Sequence, residues 1–332
     1  MTEADPVHAP VRLPERSIPV PSSISPAAQA MLSASATPPA GMPGFPEPDD
    51  RDGWTRWIAA ASAGMEALDL GQAFEALVDA EAIRLGPVPA FRVTPRVPDD
   101  GGQPEILFDI HGGALIVGGG ASCRATAVRA AGTIGGVVYS PDYRMPPDHP
   151  FPTPLDDCQT AYLALTEQYA PDRIVVSGSS AGGNLACALM LRLRTAGLPF
   201  PAGLILQSPE IDLTESGDSF RTNEGIDVVL RRGLLPVNRL YANGRDLADP
   251  ELSPLFASFE PGFPPTVITT GTRDLFLSNA VRLHNTLRRA HIPSDLLIVE
   301  AMPHGGFGDA PEDQELAAEL RAFARRCWGS AG

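Results

Sequence analysis

Residues 174–185 read Ile174-Val175-Val176-Ser177-Gly178-Ser179-Ser180-Ala181-Gly182-Gly183-Asn184-Leu185. The β-branched apolar run at the start is the mark of a buried strand. The Ala-Cys-Ala-Leu-Met-Leu-Arg-Leu-Arg continuation reads as a helix. A strand, a Gly-x-Ser-x-Gly turn and a helix in succession form a nucleophile elbow, which lifts the Ser180 hydroxyl clear of a tight, strained backbone. Gly178 and Gly182 fit that turn because a Cβ at either place would crowd the adjoining strand or helix. The helix beginning beneath Ser180 points free N–H groups at the same place.

Working outward, the same rhythm repeats on both sides. Upstream are the strand Ile106-Leu107-Phe108-Asp109-Ile110, a helix around 121–132, the strand Gly136-Val137-Val138-Tyr139-Ser140 and a helix over 155–169. Downstream are Gly203-Leu204-Ile205-Leu206-Gln207-Ser208, Pro265-Thr266-Val267-Ile268-Thr269-Thr270, a helix over 278–290, Leu296-Leu297-Ile298-Val299-Glu300 and a closing helix over 315–328. Alternation of this kind predicts an α/β fold with a mostly parallel central sheet and helices on both faces. Residues 91–212 and 257–332 are the expected core. Residues 213–256 interrupt the alternation and read as a cap insertion of two short helices. Residues 51–90 read as one or two amphipathic cap helices from the spacing of Trp54, Trp57, Ile58, Met65, Leu68, Phe74, Leu77 and Ile83, with an edge strand from Pro87 to Arg96 and a turn at Asp99-Asp100-Gly101-Gly102. Residues 1–50, rich in Pro, Ser and Ala, read as an extended arm.

A raised serine is a nucleophile only with a base, an acid and an oxyanion stabiliser. His111-Gly112-Gly113-Ala114 follows a strand immediately. Its glycines let backbone come close, and Gly112, Gly113 and Ala181 N–H are the expected oxyanion donors. Asp274 follows the strand ending at Thr270, and His304 follows the strand ending at Glu300. Ser180, Asp274 and His304 therefore stand in the order the elbow requires, each beyond the carboxyl end of a strand. Asp212 and Glu210 follow a strand too early in the order. His111 is expected to brace the oxyanion loop. His149, His284 and His291 have no evident acid partner, and His8 lies in the arm.

Composition narrows the chemistry. The formal net charge is −15 over 332 residues, which argues against nucleic acid and anionic membrane surfaces. All 25 basic residues are Arg, so a Ser–Lys dyad, a lysine Schiff base and a P-loop are excluded. The four cysteines have no C-x-x-C spacing and the six histidines no H-E-x-x-H pattern, so no metal site is expected. No apolar run is long enough to span a bilayer, and the start of the chain lacks a signal peptide, so a cytoplasmic protein is expected.

The set His111-Gly112-Gly113, Asp142-Tyr143-Arg144 through Asp148-His149-Pro150-Phe151-Pro152, Gly178-Ser179-Ser180-Ala181-Gly182-Gly183-Asn184, Asp274 and His304 resembles the hormone-sensitive-lipase-like branch of the α/β-hydrolases. The resemblance runs from about residue 105 to the C-terminus. It implies the α/β-hydrolase fold with a helical cap, a catalytic triad of Ser180, Asp274 and His304, an oxyanion hole, no cofactor and a homodimer. The segment matching Asp142 to Pro152 is implied to support the site. Ser179 stands where many members carry Asp, and Ala114 where many carry a third Gly. Residues 271–279 are most similar to the ε-lactone hydrolases, which implies a hydrophobic lactone substrate, with a macrolactone such as zearalenone conceivable. The expected function is serine-dependent hydrolysis of hydrophobic carboxylic esters, lactones foremost, failing as His304 protonates at roughly pH 6–7. A general short-chain carboxylesterase, an amide hydrolase and a non-catalytic small-ligand receptor are the alternatives.

Overall fold

The computed structural model describes residues 11, 14–15, 17–37, 44–68, 70–96 and 104–329. In chain order the elements are α1 (Pro26–Ala34), α2 (Arg51–Glu66), β1 (Val78–Leu85), β2 (Val88–Pro95), β3 (Ile106–Ile110), α3 (Ala121–Thr133), β4 (Val137–Pro141), α4 (Thr153–Thr166), β5 (Ile174–Ser179), α5 (Ala181–Thr195), β6 (Gly203–Gln207), α6 (Ser219–Thr222), α7 (Leu235–Ala242), β7 (Thr266–Gly271), α8 (Leu277–Arg289), β8 (Ser294–Val299) and α9 (Pro311–Trp328).

The sheet order is β1-β2-β4-β3-β5-β6-β7-β8. The six strands from β4 to β8 are mutually parallel, and β1 and β2 join antiparallel. Both faces are apolar, as a parallel sheet demands. Along β3, Ile106, Phe108 and Ile110 face one core, packed by α4, α5 and α8, while Leu107 faces the other, packed by α3 and α9. The same two-residue alternation runs through Ile174, Val175 and Val176 and through Leu204, Ile205 and Leu206. The parallel strands thus all end at the same rim of the sheet, where residues 111, 180, 274 and 304 lie on the segments that follow β3, β5, β7 and β8.

Above that rim, Trp54 of α2, Phe220 of α6 and Leu234 and Val237 at α7 cluster with Ile116 of the oxyanion loop and with Leu275 and Phe276 beside Asp274. Residues of α2, α6 and α7 therefore pack on the segments that follow β3 and β7. No helix among the described residues is long and apolar enough to cross a membrane.

Two expectations are corrected. Residues 78–85 are a strand and not part of the cap helices, which makes β1 the sheet edge and sets β2 between two neighbours. The Ala, Glu and Leu content of Val78-Asp-Ala-Glu-Ala-Ile-Arg-Leu favours helix, but pairing with β2 over its full length overrides it, with Glu81 bonded to Arg92 and Asp79 to Arg96. The N-terminal segment is not simply extended. Ser25 caps α1 by accepting the Ala28 N–H at 3.2 Å, and Pro26 occupies the first helical position, where its missing N–H costs nothing. The turn at residues 99–102, most of the Pro-rich run from Pro38 and His8 lie outside the described residues.

Candidate active site

The β5–α5 connection is as tight as its sequence implies. Ser180 sits at φ 55°, ψ −119°, a conformation that a side chain rarely tolerates. An ideal Cβ on Gly178 would stand 2.2 Å from Gly182 O, and one on Gly182 would stand 1.9 Å from Ile110 O. The strained turn is held by Ser180 N–H donating to Gln207 O at 2.8 Å, and by Ser180 O accepting from Asn184 N–H at 3.2 Å and Glu210 N–H at 3.1 Å.

Three loops bring the expected residues together. Ser180 Oγ lies 3.0 Å from His304 Nε2, and His304 Nδ1 lies 3.1 Å from Asp274 Oδ1. Asp274 is fully buried. It also accepts the Thr270 hydroxyl at 2.8 Å and the Phe276 N–H at 2.9 Å. Burial would raise its pKa, but the imidazole charge and its hydrogen bonds hold it below the ordinary carboxylate value. For His304 the balance runs the other way. Burial would depress the imidazole, but Asp274, joined by Asp227, raises it above the ordinary histidine value. The Phe276 ring stands edge-on to the imidazole, 4.9 Å between centroids.

Gly112 lies against the nucleophile. A Cβ there would be 2.9 Å from Ser179 O and 3.4 Å from Ser180 Cβ. Gly113, at φ 121°, closes a turn by accepting Ile116 and Val117 N–H at 3.0 and 2.9 Å. Among the described residues, the N–H groups of Gly112, Gly113 and Ala181 meet no protein acceptor, so all three remain available to an oxyanion. His111 is buried beneath this loop, its ring stacked on Tyr143 at 4.1 Å, and its carbonyl accepts the Tyr143 hydroxyl at 2.8 Å. Asp142 Oδ1 accepts Gly120 N–H at 3.0 Å. The His111 ring bonds within its own loop, Nδ1 to Gly112 O at 2.7 Å.

Among the described residues, neither competing acid hydrogen-bonds to the His304 ring. Asp212 is spent on Ser216, Thr214 and Arg282, the last at 2.7 Å. Glu210 is 1% exposed, and among the described residues neither carboxyl oxygen has a hydrogen-bond partner. Burial, then the charge of Glu215, pushes its carboxyl up to about 8, so at neutral pH it is mostly protonated. His284 pairs with the Ser294 hydroxyl at 2.8 Å. Ligand atoms of His111, Cys123 and Asp142 lie within 4.8 Å of one another. Burial holds the Cys123 thiol far above its ordinary pKa, and a protonated thiol is a poor metal ligand.

Several supporting residues escaped sequence reasoning. Asp227 and Asn223 of the cap insertion bond to the loops of Asp274 and His304, which are 48 to 77 residues away. Asn184 Nδ2 ties the elbow helix to Glu210 O and Leu252 O at 2.8 and 2.7 Å. Partners so distant leave no spacing signal in the chain.

Comparison with known proteins shows the family of the fold. Residues 107–307 match the family model described as alpha/beta hydrolase fold. The chain is 35% identical over 191 residues to an esterase of Acinetobacter venetianus and 33% identical over 189 residues to an acetyl-hydrolase of Streptomyces hygroscopicus, covering 57% and 56% of this chain. Each alignment spans 63% of the relative's own length. It is 30% identical over 330 residues to the carboxylic ester hydrolase LipN of Mycobacterium tuberculosis, covering 92% of this chain and 84% of LipN. Among solved structures, esterase E25 superposes with a TM-score of 0.86 at 34% identity, covering 96% of this chain and 98% of that one. An esterase from the bacterial hormone-sensitive lipase family gives 0.76 at 28% identity, covering 92% and 99%.

Proposed function

Because the chain belongs to the α/β-hydrolase fold family, we propose that it is a serine carboxylesterase working through an acyl-enzyme on Ser180. The observation that carries this reading is the unbroken relay from Ser180 Oγ through His304 to Asp274, with contacts of 3.0 and 3.1 Å. The esterase names of its relatives support it.

His304 Nε2 takes the hydroxyl proton as Ser180 Oγ attacks the ester carbonyl carbon. The carbonyl oxygen becomes an oxyanion facing Gly112, Gly113 and Ala181 N–H, each worth about 3–4 kcal/mol to the transition state. Asp274 accepts from His304 Nδ1–H, fixing the tautomer that leaves Nε2 free, and stabilises the imidazolium that forms. The imidazolium then protonates the leaving alkoxide. Water attacks the acyl-enzyme with His304 again as base, and the carboxylic acid leaves.

Hydrophobic lactones are the preferred substrates in this proposal, on the likeness of residues 271–279 to ε-lactone hydrolases. Lactone opening leaves the alcohol on the acyl chain, so water must outrun re-closure. A homodimer through β8 is part of the same reading, since β8 ends the sheet and leaves Ile298 46% exposed. The four unpaired thiols suit the reducing cytoplasm.

Product analysis by mass on hydrophobic lactones and open-chain p-nitrophenyl esters tests this, with wild type beside Ser180→Ala. A single hydroxy acid from a lactone, absent with the variant, supports both parts. Turnover of short esters alone removes the lactone preference, and turnover surviving in Ser180→Ala removes the mechanism.

A further inference from the structure

The cap insertion contributes a carboxylate that touches both loops of the relay. Asp227 is fully buried. Its Oδ1 accepts the N–H groups of Val229 and Leu230 at 2.9 and 3.0 Å, which closes its own turn. Its Oδ2 accepts Leu275 N–H at 2.9 Å and His304 N–H at 3.2 Å. Leu275 directly follows the acid of the relay, and His304 is the base. Two loops that belong to different crossovers therefore converge on one oxygen atom. The preceding residues reinforce the contact. Asn223 Nδ2 donates to Asp274 O at 2.8 Å and Thr272 O at 3.3 Å, and Asp227 N–H donates to Asn223 O at 3.0 Å.

We propose that Asp227 is a positioning residue whose carboxylate sets the distance between the acid loop and the histidine loop, so that the cap holds the relay in register as well as covering it. The inference rests on the serine-esterase reading above. Four N–H donors suit an ionised, acceptor-only group, and an isolated buried charge without them would be prohibitive. The groups facing His304 are Asp274 from the β7–α8 loop, Asp227 from the cap, Glu210 from the segment after β6, and Ser180. Asp227 is itself faced by His304 and Asp274. Its charge therefore acts on His304 in the same sense as that of Asp274. The role divides cleanly into a distance and a charge. Asp227→Asn keeps the size but loses the charge and half of the acceptor capacity. Asp227→Glu keeps the charge but moves the oxygens by one methylene.

The experiment first establishes Ser180-dependent ester hydrolysis by the wild-type chain; failure there sinks the esterase reading and not this inference alone. Rates are then normalised to active sites titrated with a fluorophosphonate, so that misfolded protein is not counted. For Asp227→Asn, kcat should fall about 10- to 100-fold, the penalty for displacing a catalytic group by about 1 Å. KM should be nearly unchanged, and the acid limb of kcat/KM should move to lower pH. For Asp227→Glu, kcat should fall with the limb unmoved. Wild-type kcat in either variant overturns the proposal. So does a loss of kcat in Asp227→Asn with the limb in place, because a merely structural defect would produce that. If Asp227→Asn gives no titratable sites, Asp227→Ser, which also removes the charge, takes its place with the same two readouts, and an acid limb left in place there overturns the proposal.

Discussion

Replacing Gly182 with alanine tests how closely the elbow is packed. The new Cβ would stand 1.9 Å from Ile110 O, 2.6 Å from His111 O and 2.7 Å from the Ile110 carbonyl carbon. Ordinary contact begins at 3.4 Å, so the start of α5 and the end of β3 must part by about 3.4 − 1.9 = 1.5 Å. All three obstructing atoms are backbone, and no rotamer change relieves them. β3 leads straight into His111-Gly112-Gly113 and α5 begins immediately after Ser180, so the separation opens the gap between nucleophile and oxyanion donors. We expect a stability loss of about 1–3 kcal/mol or more. A displacement above 1 Å should lower kcat by at least about 100-fold. Thermal unfolding and steady-state hydrolysis of a p-nitrophenyl ester measure both. Gly64→Ala is the control, since nothing lies within 4 Å of its Cβ in α2. Helix propensity predicts a gain there of about 0.5–1 kcal/mol with activity unchanged. A Gly182→Ala protein with wild-type melting temperature and kcat would refute the reasoning.

Three further outcomes are expected. Turnover needs neutral His304, whose pKa is raised above 6.5 because Asp274, joined by Asp227, outweighs burial. The acid limb of kcat/KM should therefore lie above that value, and a limb below it contradicts the assignment. The stability owed to this raised imidazole is lost as pH climbs through the same window, opposite in sense to activity. For Glu210 the carboxyl rises from 4.5 to about 8, so stability present below 4.5 should drain away as pH approaches 8. At 1.36 kcal/mol per unit the loss is at most about 5 kcal/mol. Glu210→Gln should flatten that decline in urea titrations, and a flat wild-type curve counts against the burial argument. Asn184→Ala strips the donors from Glu210 O and Leu252 O. It should cost about 2–4 kcal/mol, and a loss under about 1 kcal/mol would show that the carbonyls find other donors.

The sequence by itself determined the alternation of strands and helices, the elbow, and the identity of the residues that meet at the rim. Those features are local. A β-branched run followed by Gly-x-Ser-x-Gly has few backbone solutions, and a residue directly after a parallel strand must lie at the strand's carboxyl rim. The sequence misassigned residues 78–85 because Leu77 and Ile83 continue a helical apolar spacing, which is a local signal, whereas strand pairing with β2 is not. It also left the N-terminal helix unseen, since a segment rich in Pro, Ser and Ala reads as an extended arm although Pro26 serves as a first helical residue. Tertiary structure alone decided the 3.0 and 3.1 Å contacts of the relay and the convergence of two loops on Asp227. Those depend on where separate crossovers place their loops in space. A hydrogen bond between residues 48 or 77 positions apart leaves no period in the chain to read.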